Sequence, residues 1–317
     1  MHNTTEPTRG RTANGENGLS LLELMASLFI LVIAGGIVVG ALIGMTKAQG
    51  TLSNRTEMHS SVRSATELME QEIGQAGRVS TPGTVTLAAA IAVAGSQIVS
   101  VNSTAAGNST SGMFVGEQFA VDAGANLETV TLTAVNSSQI TANFTLAHSS
   151  GASVSARGGF STGVVPPSVA NGSTGTVLKI YGDINGDGKM VYVEYTCDTV
   201  GGNLYRNSMA YDTVNTSKPA LGSSLVLLPN ILANPGGAAC FTYQTKTVAG
   251  SDYIVDVAVT LTAQTQSLDP QTGVYQQETK ALLNVSPRNV FEVWELASLG
   301  LTNRIQPMPS SVTSLLP

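Results

Sequence analysis

Asp183-Ile184-Asn185-Gly186-Asp187-Gly188, followed by Glu194, is the stretch whose residue types and spacing could do chemistry. Oxygen-bearing side chains at alternate positions, a glycine for a sharp turn and a distal carboxylate satisfy the loop pattern D-x-[DN]-x-[DN]-G-x5-E. A hard cation such as calcium takes about six to eight oxygen ligands, and this loop offers several. The candidate ligands are Asp183, Asn185, Asp187, the carbonyl of Lys189, and Glu194. Two readings stay open: a calcium loop, or an Asx/Gly-rich hairpin turn that holds no metal. Residues 190–197 have strand character, so an extended path from Lys189 would carry Glu194 about 16 Å away. The expected form is therefore a strand-flanked turn on the first four ligands, completed by water or a neighbouring segment.

Cys197 and Cys240 are the chain's two cysteines. In an oxidising compartment they pair; otherwise they are two buried thiols. A redox or zinc site has no CxxC to rest on, and the histidines are His2, His59 and His148. No nucleophile–histidine–acid set and no phosphate loop can be assembled, so an enzyme is not expected. Net charge is −6, and no Lys/Arg cluster offers a surface to nucleic acid.

The elements that position these residues begin at the N-terminus. From Leu24 to Met45 the chain is apolar and uncharged. At about 1.5 Å rise per residue the run spans roughly 33 Å, enough to cross a bilayer. Glu23 stands at its head, where a carboxylate entering hydrocarbon is costly without a partner or a role. A secretory signal would end in a small-residue cleavage site after its apolar run. Here the small residue, Gly18, comes before it. Cleavage there would leave the helix on the mature chain and place a new amino group at Leu19, near Glu23. Gly36, Gly40 and Gly44 add a small-residue stripe, read either as a close-packing face or as local helix weakening.

Gly18-Leu19-Ser20-Leu21-Leu22-Glu23 resembles, position by position, the N-terminal motif of the type IV pilin-like proteins. The resemblance implies cleavage after Gly18 by a prepilin peptidase, methylation of Leu19, and a role for Glu23 in assembly. It further implies other minor and major pilins and an inner-membrane assembly platform as partners. The chain would sit single-pass in the inner membrane, its head periplasmic or outside the cell. Leu19 departs from the family's usual phenylalanine or methionine. In the leader, residues 1–18, Arg9 and Arg11 are offset by Glu6 and Glu16. Residues 65–69 and 72–77 look like the PilW-type minor pilins.

Met58, Val62, Ala65, Met69, Ile73 and Ala76 recur at helical spacing, so the helix is expected to continue as an amphipathic stalk over 19–80. Arg55, Glu57, Arg63, Glu67, Glu70 and Glu72 are read as its polar surroundings. Residues 84–157 alternate apolar with Ser and Thr and read as a small β subdomain, either a spacer or a binding module. Between Val79 and Lys179 its charges are Glu117, Asp122, Glu128 and Arg157. Residues 158–175, rich in Gly, Ser, Thr and Pro, read as a linker. Residues 176–317 read as a β-rich head, with Val255, Val257, Val259 and Leu261 on one face of its clearest strand. The expected class is α+β, with an antiparallel sheet packed on the long helix. A minor pilin or pseudopilin that initiates or caps a filament is the expected function. A tip adhesin or cargo-binding pilin and a type II secretion pseudopilin are the alternatives.

Overall fold

The computed structural model describes residues 20–317. A single helix, α1, runs from Leu21 to Gln75. The chain divides into two units: one holds α1 up to Ser53 with Asp269–Gly273, the other everything from Asn54 onward apart from that insert.

In the first unit, Ser20 caps the helix: its Oγ accepts the backbone N–H of Glu23 at 3.2 Å. Side chains from Leu21 to Met45 are exposed all round. A helix apolar on every face has no water-facing side, which suits a lipid surrounding. Among the described residues this is the one helix long and apolar enough to cross a membrane.

The second unit is built on the later turns of α1. Met58, Val62, Ala65, Met69 and Ile73, with Ala76 just beyond, are all buried. They share one core with two antiparallel sheets. Met69 and Ile73 have no exposed surface, and each such side chain contributes about 1.5–3 kcal/mol. The helix ends at Gln75 rather than near residue 80. Gly77 follows in the left-handed region at φ +85°, where an added Cβ would lie 2.8 Å from Val290.

Next comes a closed barrel formed by β1 (Val85–Leu87), β2 (Gly95–Ser103), β3 (Gln118–Val121), β4 (Glu128–Val135), β5 (Gln139–Phe144) and β6 (Ser153–Ala156). Its strand order is β1-β2-β5-β4-β3-β6, around a core that includes Leu87, Phe119, Leu132, Ile140 and Phe144. Alternation of apolar with Ser and Thr sends every second residue inward.

Residues 158–175 do not behave as a linker. Phe160, in the short strand β7 (Gly159–Phe160), is fully buried, as are Val164 and Val165. Val165 N–H donates to the Lys179 carbonyl, and Tyr181 N–H to that of Gly163. The Gly/Pro content serves close backbone approach here: a Cβ on Gly163 would sit 2.1 Å from the Cα of Gly77.

The first head sheet has the order β11-β10-β9-β8, from β8 (Val177–Gly182), β9 (Val191–Asp198), β10 (Asn203–Ala210) and β11 (Val226–Pro229). In the second, β14 (Ser251–Gln264) pairs with β12 (Ile231–Leu232), β13 (Phe241–Val248) and β15 (Gln277–Val285). One expected face is corrected. Gln244 pairs with Asp256 and Thr245 with Ile254, leaving Val255 as the extra residue of a bulge. That shift puts Ile254, not Val255, into the core with Val257, Val259 and Leu261. Helix α2 (Arg288–Ser298), β16 (Ile305–Gln306), which runs parallel to β7, and α3 (Ser310–Leu315) complete the chain. A long apolar N-terminal helix, an antiparallel β-rich C-terminal domain and a small six-stranded barrel fit the α+β class.

Candidate functional site

Gly18 and Leu19 lie outside the described residues. Glu23 lies in the first turn of α1. Ser20-Leu21-Leu22-Glu23 also has the spacing of a helix capping box, so the acid's place at the third helical position is favourable to the helix on its own account.

Asp183 follows β8 directly and is 1% exposed. Its Oδ1 accepts the N–H of Asp187 at 3.1 Å, and its Oδ2 that of Gly188 at 3.3 Å. Arg78 Nε lies 3.6 Å from the same Oδ2. Asp187 Oδ1 accepts the N–H of Lys189 at 3.0 Å. The loop is thus closed on itself, its buried carboxylate balanced by a guanidinium from the chain leaving α1.

Glu194 is corrected as a candidate ligand. It lies in β9, where its Oε2 accepts from the Tyr192 hydroxyl at 2.8 Å and pairs with Lys218 Nζ at 2.8 Å. The extended strand carries the acid away from the loop and hands it to other partners. The donor set as folded does not fit a calcium cage: Asp183 is committed to two amides and faces a cation, and Glu194 is engaged elsewhere. Among the described residues no group of three or more His, Cys, Asp or Glu could hold a metal ion.

Lys218 and Lys179 show what Glu194 does instead. Lys218 Nζ also donates to the carbonyls of Leu315 and Pro317, at 3.0 and 3.1 Å. Lys179 Nζ donates to the carbonyls of Asn171, at 2.8 Å, and Leu316. Burial holds the Lys179 ammonium below its ordinary value, while nearby Glu194 opposes that shift. The cluster fastens the segment after α3, whose Leu315 and Leu316 are buried beside Tyr181 and Tyr192.

Cys197, in β9, and Cys240, just before β13, form a disulfide across the two head sheets. Chain-entropy reasoning gives about 4 kcal/mol for a crosslink at a separation of 43 residues.

Three buried polar clusters were not read from the sequence. Glu72 is not part of the polar surroundings of α1; it is 4% exposed. Both its carboxylate oxygens accept from Arg206 Nε at 3.1 Å, and it also takes hydrogen bonds from Arg206 Nη2 and the Tyr195 hydroxyl. Burial and the neighbouring carboxylate push the Tyr195 phenol up. A signal did exist: Ala65, Met69, Glu72 and Ala76 follow one helical face.

In the barrel, His148 is 3% exposed, with Nδ1 3.1 Å from Asp122 and Nε2 2.6 Å from Glu128. The hydrogen bond from His148 holds Asp122 below the usual carboxylate range. Burial would raise Glu128, but hydrogen bonds from Thr145, His148 and the Leu146 backbone outweigh it. With an acceptor at each nitrogen, the imidazole is best matched when both nitrogens carry protons.

Glu117 is fully buried, and burial raises its carboxyl well above the usual range, tempered by the N–H of Phe114. Phe114 stacks on Phe160 and Tyr211, with ring centroids 5.9 and 6.4 Å apart. These contacts frame an open cleft between the barrel, the end of β10 and α3.

Compared with known proteins, the chain matches no family model, no curated protein and no solved structure.

Proposed function

We propose that this chain is a minor pilin or pseudopilin, a structural subunit that helps to initiate or cap a type IV pilus or related filament. The observation that carries the reading is one continuous helix with two different surroundings. Its first turns are apolar on every face, and from Met58 onward it is buried in a β-rich head. The Gly18–Glu23 motif stands directly ahead of it. In this reading the Leu24–Met45 segment anchors the subunit in the inner membrane before assembly and packs among neighbouring pilins afterwards. Glu23 then neutralises the amino group that processing creates. Charge neutralisation matters because a lone carboxylate in hydrocarbon costs several kcal/mol.

The test is to express the full chain in membranes with and without a prepilin peptidase and read the mature N-terminus by mass spectrometry. The expected product begins at Leu19, and Gly18→Arg abolishes it. Glu23→Ala is then expected to be processed normally but to be depleted from sheared filaments. A chain left intact by the peptidase would sink the proposal.

A further inference from the structure

We infer that the cleft between the barrel and the head is a binding site for a neutral carbohydrate. The inference does not depend on the filament reading. The cleft has a volume of about 510 Å³, within the range of small-molecule sites. Its apolar part is rigid. The Phe114 ring is held between Phe160 and Tyr211, its backbone N–H donates to Glu117 at 3.1 Å, and the Tyr211 hydroxyl donates to the Gly112 carbonyl at 2.9 Å.

The rim is the reverse. Asn108, Ser137, Asp212, Ser310 and Ser311 line the same cleft, and no side-chain hydrogen bond from any of them reaches another described residue. Amide, hydroxyl and carboxylate groups without protein partners thus converge around a fixed aromatic edge. No Lys, Arg or His lines the cleft, so nothing there compensates a phosphate, a carboxylate or a sulfate. The barrel beside it is equally neutral, because Glu117 is buried and Asp122 and Glu128 are bound to His148. A sugar ring matches this combination. Its C–H face packs on Phe114, its hydroxyls take the free hydroxyl and amide groups, and two neighbouring hydroxyls can donate to Asp212.

The test is saturation-transfer NMR on the full chain in a micelle whose detergent carries no sugar headgroup. The probes are cellotriose, maltotriose and N,N′,N″-triacetylchitotriose, with sialyllactose and trilysine as charged comparisons. Saturation transfer to at least one neutral trisaccharide is expected, and not to sialyllactose. Asp212→Ala is expected to weaken binding by about tenfold or more through loss of a charge-assisted acceptor. Ser137→Trp should abolish binding by filling the cleft, and both exposed-site variants should keep the wild-type melting temperature. The inference is overturned if no neutral probe binds, if both variants bind like wild type, or if trilysine binds in place of the sugars.

Discussion

Arg206→Ala tests whether the later turns of α1 are held to the head by charge as well as by packing. The substitution leaves the Glu72 side chain, 5% exposed, with Tyr195 as its remaining partner. Breaking a buried ion pair from one side costs about 3–5 kcal/mol, because the orphaned charge stays out of water. The Arg206 side chain keeps 27% exposure, so the pair is not wholly desolvated and the lower end, about 3 kcal/mol, is expected. At roughly 2–4 °C per kcal/mol for a unit of this size, melting should fall by about 6–12 °C. Replacing both partners, Glu72→Met with Arg206→Met, removes the desolvation cost along with the attraction. The double variant should therefore lie within about 1–2 kcal/mol of wild type and be more stable than Arg206→Ala alone. Near-ultraviolet circular dichroism is the suitable probe, since Tyr195 reports tertiary packing while the Leu24–Met45 helix persists in the micelle. The reasoning fails if Arg206→Ala melts with wild type, or if the double variant is no better than the single one.

Acid should loosen the barrel through Asp122 and Glu128. Their carboxylates are held below the unfolded values, so the stabilisation is complete above roughly pH 4 and is lost as pH falls through the depressed values. His148→Gln should move the acid midpoint of the barrel amide resonances upward; an unchanged midpoint would refute the role given to this cluster. Calcium should leave the melting temperature where it is, because Asp183 already has its partners. A ligand at about a hundred times its Kd would add roughly 2.7 kcal/mol, so a clear upward shift on adding calcium would sink the self-closed loop.

Local patterns were legible where one period governed several residues. The face Met58–Val62–Ala65–Met69–Ile73–Ala76 could be read because every member is apolar. Glu72 shares that face but is charged, and its burial depends on Arg206 and Tyr195, which are remote in sequence. The alternation in β4 and β5 showed strands, yet closure into a barrel depends on pairings such as Val85 with Val154 that leave no local trace. The stretch 158–175 misled for a physical reason. Glycine and proline mark mobile loops and tight backbone crossings alike, and composition does not separate the two. The Asp183 loop was visible as a turn. Its counter-charge was not, because Arg78 lies on a segment whose path depends on the whole fold.

Gly77 and Gly163 show why the barrel and the head work as one body. Gly77 N–H donates to the Tyr181 carbonyl, and the Gly77 carbonyl accepts the N–H of Phe160. Arg78 bridges to Gly159, and its carbonyl accepts the N–H of Asp183. The exit from α1, the chain returning from the barrel and the first strand of the head therefore meet within a few residues. Gln306 adds a side-chain splice: it accepts the N–H of Gln118 at 2.9 Å and donates to the carbonyls of Gln118 and Arg157, at 2.7 and 2.8 Å. A barrel fixed in this way cannot swing without breaking backbone hydrogen bonds in the core. Deleting residues 84–157 would open Phe160 and Tyr211 to water as well as remove the barrel, so excision confounds a binding role with a folding role. Point changes on the cleft rim, such as Asp212→Ala, leave the splice untouched and separate the two.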